Sequence, residues 1–124
     1  MIYADTDFFM ALLKGSDWLK EKAMRRHQEN RGKIVTSATT IIELLILADR
    51  YGLDPETITS AVFEIASEVK GMSQTTAMQA VYHIKEDKMH IFDSFHASYG
   101  FGMTMLSSDK IFDKIGMDRI ALEE

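Results

Sequence analysis

The 124-residue sequence predicts an α/β protein: a small central parallel sheet flanked by helices, with more helix than a plain doubly wound domain. Three observations lead there. Short apolar stretches ("MIYA", "KIVTS", "GMTMLS", "MDRIAL") read as strands, and helical patterns follow the first three. A block from about residue 37 to 100 shows only helical spacing. Asp5 and Asp109 fall just beyond two of the strand candidates, on the edge where open α/β sheets bind ligands.

In order along the chain, the first strand ends near Asp5, and Thr6 or Asp7 caps a short helix through Leu13. Gly15 and Ser16 mark a break. Ser16 is expected to cap a second helix, with Trp18, Leu19 and Ala23 on its apolar side and its end near Gly32. After "KIVTS", Ser37 opens a helix so apolar all round that it should be central, closed by Gly52. Asp54 as N-cap and Pro55 at the first helical position start a helix to about Lys70. "SQTTAMQAVYHIKED" gives another, with Ala77, Ala80, Val81 and Ile84 at helical spacing, and "IFDSFHASYG" continues helical from about Ile91. A strand ending near Asp109, a helical turn or two in "KIFDKIG" and a last short strand complete one domain, residues 1–124.

Composition narrows the function classes. Hydrophobic residues make up 46% of the chain and there is one proline, which suits a compact domain. No apolar stretch is long enough to span a bilayer, and the start of the chain lacks a signal-peptide pattern, so a cytoplasmic protein is expected. The absence of cysteine removes disulfides, zinc–thiolate sites and thiol nucleophiles. A net charge of −5 disfavours a broad basic nucleic-acid face. "KEKAMRRHQENRGK" is a local exception; its ordinary reading is a solvated helix face, and Arg25 and Arg26 are its candidates for guiding a polyanion.

Glu43 stands alone in the apolar run "TIIELLILA". A carboxylate there needs a basic partner, a proton or a metal ion, because an uncompensated buried one costs several kcal/mol. With Asp93 near the start of a later helix, four acids, Asp5, Glu43, Asp93 and Asp109, can reach one sheet edge. Four close carboxylates cannot all stay ionised without cations, and an all-oxygen set selects Mg²⁺ or Mn²⁺. Taken singly, each has a plainer reading: Asp5, Asp93 and Asp109 as helix caps, Glu43 as a partner of Arg50.

The same residues carry a resemblance. "IYADTDFFMALL", "TSATTIIELLILA", "IFDSFHAS" and "MTMLSSDKIFDKIG" resemble, in order, the four motifs of PIN-domain ribonucleases, and the spacing suits small members similar to VapC toxins of toxin–antitoxin pairs. The resemblance implies a PIN-like fold and a metal-dependent endoribonuclease. Asp5, Glu43, Asp93 and Asp109 would hold Mg²⁺ or Mn²⁺, Thr6 and Ser107 would orient them, and Asp113 would be an extra ligand. It further implies an RNA substrate, a small antitoxin partner and a homodimer. Asp7, Tyr99-Gly100 and Asp113 depart from the family pattern. No histidine is assigned to catalysis; His96 is expected to pack or hydrogen-bond on its helix.

Haloacid-dehalogenase-like phosphatases share an Asp-x-Asp but need a phosphate-holding lysine and a longer chain, and a receiver domain needs five alternating βα units. The competing reading is non-enzymatic: a catalytically inactive PIN-like module that binds protein or RNA, its nine methionines lining a partner groove.

Overall fold

A computed structural model describes residues 1–124. Its elements are β1 (Ile2–Ala4), α1 (Thr6–Leu13), α2 (Lys20–Glu29), β2 (Ile34–Ser37), α3 (Ala38–Tyr51), α4 (Pro55–Ile65), β3 (Glu68–Lys70), α5 (Gln74–Glu86), α6 (Ile91–Tyr99), β4 (Thr104–Ser107), α7 (Ile111–Lys114) and β5 (Arg119–Ala121). All strand pairs are parallel, in the order β3-β2-β1-β4-β5. The chain builds outward from β1 through β2 to β3, then returns to place β4 on the other side of β1. The order therefore reverses between β1 and β4, and a crevice opens beyond their carboxyl ends.

Alternation along the buried strands sorts the core into two layers. Ala4, Ile34 and Leu106 face one side with Phe8, Phe9 and Leu44; Tyr3, Val35 and Met105 face the other with Ala97, Tyr99 and Phe112. In register, Ala4 lies beside Leu106, so Asp5 and Ser107 emerge together at the top of the crevice.

Several elements depart from expectation. Helix α1 begins at Thr6, one step earlier than a Thr6 cap and two earlier than an Asp7 cap would place it. Helix α2 starts at Lys20 after a turn in which Asp17 accepts the Leu19 amide, so Ser16 caps nothing and Trp18 is 76% exposed. It ends at Glu29 rather than near Gly32, whose φ of +76° serves the turn into β2. Helix α3 is not central: Leu44 and Ala48 are buried, but Ile42, Leu45 and Ile46 face solvent. The helix opened by Asp54 stops at Ile65, and Glu68–Lys70 is instead strand β3 on the sheet edge. Ser67 directs both its amide and its hydroxyl to the Ile34 carbonyl, tying this segment beside β2, and edge pairing overrides the helical pattern there. Ala80 of α5 is buried as its spacing implies, whereas Val81 is exposed. No helix is long and apolar enough to cross a membrane.

Candidate active site

Asp5 occupies the N-cap position of α1, yet its side chain makes no capping hydrogen bond. It is 6% exposed; Oδ2 accepts from Ser107 Oγ at 2.7 Å, while Oδ1 is buried with no partner. Burial, then the neighbouring Asp7 carboxylate, push its pKa well above the ordinary carboxylate value, with Glu43 adding to the rise. The capping explanation for Asp5 therefore fails, and a buried oxygen without a partner is left on a residue that neighbours Asp7, whose Oδ1 is likewise buried and unpartnered.

Glu43 does not pair with Arg50. Its Oε1 accepts from Thr6 Oγ1 at 2.5 Å and from His96 Nε2 at 2.7 Å. Burial raises its pKa, but the hydrogen bonds from His96 and Thr6 and the charge of His96 outweigh that and hold it below the usual range. His96 is 2% exposed, and its Nδ1 lies 2.8 Å from Tyr3 Oη, which in turn lies 2.7 Å from Ser37 Oγ. Ser37, the N-cap of α3, spends its hydroxyl on Tyr3 rather than on the helix. Because Glu43 accepts as a carboxylate at this contact, Nε2 is the ring nitrogen that donates. Burial raises the Tyr3 phenol well above its usual pKa, so it remains a donor at all ordinary pH values. His96 thus does hydrogen-bond, across three elements rather than along its own helix.

Asp93 lies in the first turn of α6. Burial and then the charge of Asp109 raise its pKa; Glu43 adds to this, while His96 and His90 oppose it. Asp109 follows β4 with Oδ1 accepting the Ile111 amide at 3.0 Å, a turn contact of the capping kind, while its own amide donates to Ser107 Oγ. Mutual repulsion thus links Asp5 to Glu43, Glu43 to Asp93 and Asp93 to Asp109 along one edge. No three acidic or imidazole groups are gathered tightly enough to hold an ion, since Glu43 is drawn to His96 and Asp109 to its own loop.

The remaining candidates divide. Thr6 and Ser107 contact Glu43 and Asp5 as orienting donors would. Asp113 turns away, held bidentately by Arg119 at 3.0 and 2.9 Å. Arg25 and Arg26 both engage Glu29, and Arg25 also reaches the Glu124 carbonyl. Asp7 gains a place sequence reasoning did not assign: its Oδ2 accepts the Ser108 amide at 2.9 Å and the Ser108 hydroxyl, fastening the loop that carries Asp109 to the helix that follows Asp5. Its Asp-x-Asp spacing was the available signal.

The orphan Oδ1 of Asp5 and the all-oxygen donor set fit a hard divalent cation.

The topology and the acid-lined switch point define an α/β protein with a PIN-like fold. No family model and no curated protein sequence matches the chain. Solved structures do. VapC20 from Mycobacterium tuberculosis, a toxin described as cleaving the sarcin–ricin loop, superposes with a TM-score of 0.81 at 19% identity, over 98% of this chain and 99% of that one. A toxin–antitoxin complex from Klebsiella pneumoniae gives 0.78 at 17% identity over 98% of each chain, and DNA-bound VapBC from Salmonella typhimurium 0.72 at 18% over 98% and 97%. The chain shares the fold of VapC-type toxins over essentially its whole length.

Proposed function

We propose that this protein is a Mg²⁺- or Mn²⁺-dependent endoribonuclease acting as the toxin of a VapBC-like pair. The observation that carries this reading is the buried, unpartnered Oδ1 of Asp5 at the switch point, beside three further acids on the same edge. Asp5, Glu43, Asp93 and Asp109 are the ligands we assign, and a bound ion would supply activated water and neutralise charge on the phosphodiester. Asp113 is omitted from that set because Arg119 already satisfies it.

The chain's own groups then have distinct tasks. Ser107 fixes the rotamer of Asp5 by donating to Oδ2, which leaves Oδ1 directed elsewhere. Thr6 and His96 hold Glu43 ionised. Asp7 locks the Ser108 turn, and so the approach of Asp109. The crevice excludes bulk water around Asp5, which strengthens every electrostatic interaction made there.

An antitoxin is the partner we assign, since the similar structures include toxin–antitoxin complexes. Ile42, Leu45 and Ile46 of α3 offer apolar surface for it or for a second copy of the chain. A homodimer and a cytoplasmic location belong to the same proposal.

Incubation of the purified protein with mixed single-stranded and structured RNAs in Mn²⁺, in Mg²⁺ and in EDTA tests it. Cleavage that needs the metal and vanishes in Asp5→Asn is expected. Metal binding without cleavage of any RNA would favour the inactive interaction module instead.

A further inference from the structure

Asp93 and Asp109 help line a cleft of about 300 Å³ that also carries basic residues. Together with the two carboxylates, its lining includes the lysines Lys88, Lys110 and Lys114, and His90. Lys110, at the N-cap position of α7, and Lys114, at its end, are four positions apart, about one helical turn. The acid between them, Asp113, is exposed but held by Arg119, and none of the three lysines has a carboxylate within ion-pair distance. In a chain with net charge −5, this gathers three lysines without ion-pair partners beside Asp93 and Asp109. By contrast Arg25 and Arg26, the basic candidates of the sequence, share Glu29.

Resting on the nuclease reading above, we infer that this cleft seats the RNA phosphate adjoining the one at the acid edge, with Lys88, Lys110 and Lys114 as its contacts. Contiguity supports the assignment: Lys110 directly follows Asp109, so a strand presented to the acids meets this lysine within one nucleotide. Charge supports it as well. A phosphate repelled by Asp93 and Asp109 is attracted by the lysines that line the same cleft, and salt screens that attraction. Lysines here act as point charges on the backbone, so the site selects for a polyanionic strand and not for its bases.

The test is fluorescence anisotropy with a labelled single-stranded RNA in EDTA, where cleavage cannot interfere, over a series of salt concentrations. Wild type is compared with the triple variant Lys88→Gln, Lys110→Gln, Lys114→Gln and with Arg25→Gln, Arg26→Gln. All replaced lysines are exposed, so melting temperatures should match and report intact folding. The triple variant is expected to lose about 0.7 per lysine from the slope of log K against log salt, and roughly tenfold or more in affinity at low salt, while the arginine variant stays near wild type. Wild-type slope and affinity in the triple variant overturn the inference, and they leave the nuclease reading standing if metal-dependent cleavage is seen in parallel. A matching loss for poly-glutamate overturns the assignment to RNA in favour of an acidic protein segment. Absence of both RNA binding and cleavage in wild type overturns the inference and the nuclease reading together.

Discussion

Burial alone would push the Glu43 carboxyl upward, yet the donors from His96 and Thr6, with the His96 charge, hold its pKa below the ordinary 4.5. A depressed carboxylate contributes stability that is present above its unfolded pKa and is lost as pH falls through the folded one. Replacing His96 by Ala leaves a half-buried carboxylate with Thr6 alone, so His96→Ala should cost about 1–3 kcal/mol at pH 7, with the gap narrowing in acid as pH falls through the lowered pKa of Glu43 and it takes a proton. Urea denaturation at the two pH values measures this. His96→Gln, which can still donate, should recover part of the loss, and equal losses at both pH values would mean that His96 matters for packing only. Asp5 has the opposite sign. Its pKa is raised, so its contribution is fully present below the ordinary 3.8 and is lost as pH rises through the folded value, and the carboxyl weighs against folding as pH rises. Asp5→Asn should therefore raise stability at pH 7 by about 1–3 kcal/mol, with the advantage fading in acid. A thermal melt in which the variant is less stable at pH 7 would contradict the burial argument.

At the scale of elements, the network depends on how closely α6 approaches the sheet. Gly100, just past its end, has no room for a side chain: a Cβ would meet Met105 Sδ at 2.4 Å and Tyr3 Cβ at 3.3 Å. Met105 is wholly buried, so its sulfur cannot easily yield. Gly100→Ala should cost about 1–3 kcal/mol through overpacking and loosen the Tyr3–His96 contact, visible as a changed imidazole signal in NMR. An unaffected melt would mean that α6 shifts freely. Elements with local chemistry were legible in the sequence. Asp54 accepts the Thr57 amide, Pro55 follows it, and Gly52 closes α3 at φ +66°. Strand β3 was not, because "EVK" becomes a strand only when the β2 edge is there to pair with it. The site divides the same way. The acids announce themselves by position after strands or inside an apolar run, whereas the Tyr3–His96 contact joins residues 93 apart and the His96–Glu43 contact residues 53 apart. Those pairs exist only once β1, α3 and α6 have packed, and no local pattern encodes them.

For the whole molecule, the repulsion that destabilises the acid edge is what a cation would relieve. An ion that binds only the folded state stabilises by RT ln(1 + [L]/Kd), about 2.7 kcal/mol when its concentration is a hundredfold above Kd. Melting temperature should thus climb with Mn²⁺ or Mg²⁺ concentration in wild type. The climb has a structural cost: no three of these groups are gathered in the present arrangement, so Glu43 or Asp109 has to shift before three ligands can meet, and that rearrangement weakens the apparent affinity. His96→Ala, which frees Glu43, is therefore expected to bind the ion more tightly than wild type even though it is less stable without it, while Asp5→Asn should show no metal-dependent rise at all. Calorimetric titration of the three proteins separates these outcomes. A metal-dependent rise that survives Asp5→Asn would place the ion elsewhere on the molecule, and weaker binding by His96→Ala would mean that the histidine holds Glu43 in its ligating position and does not compete for it.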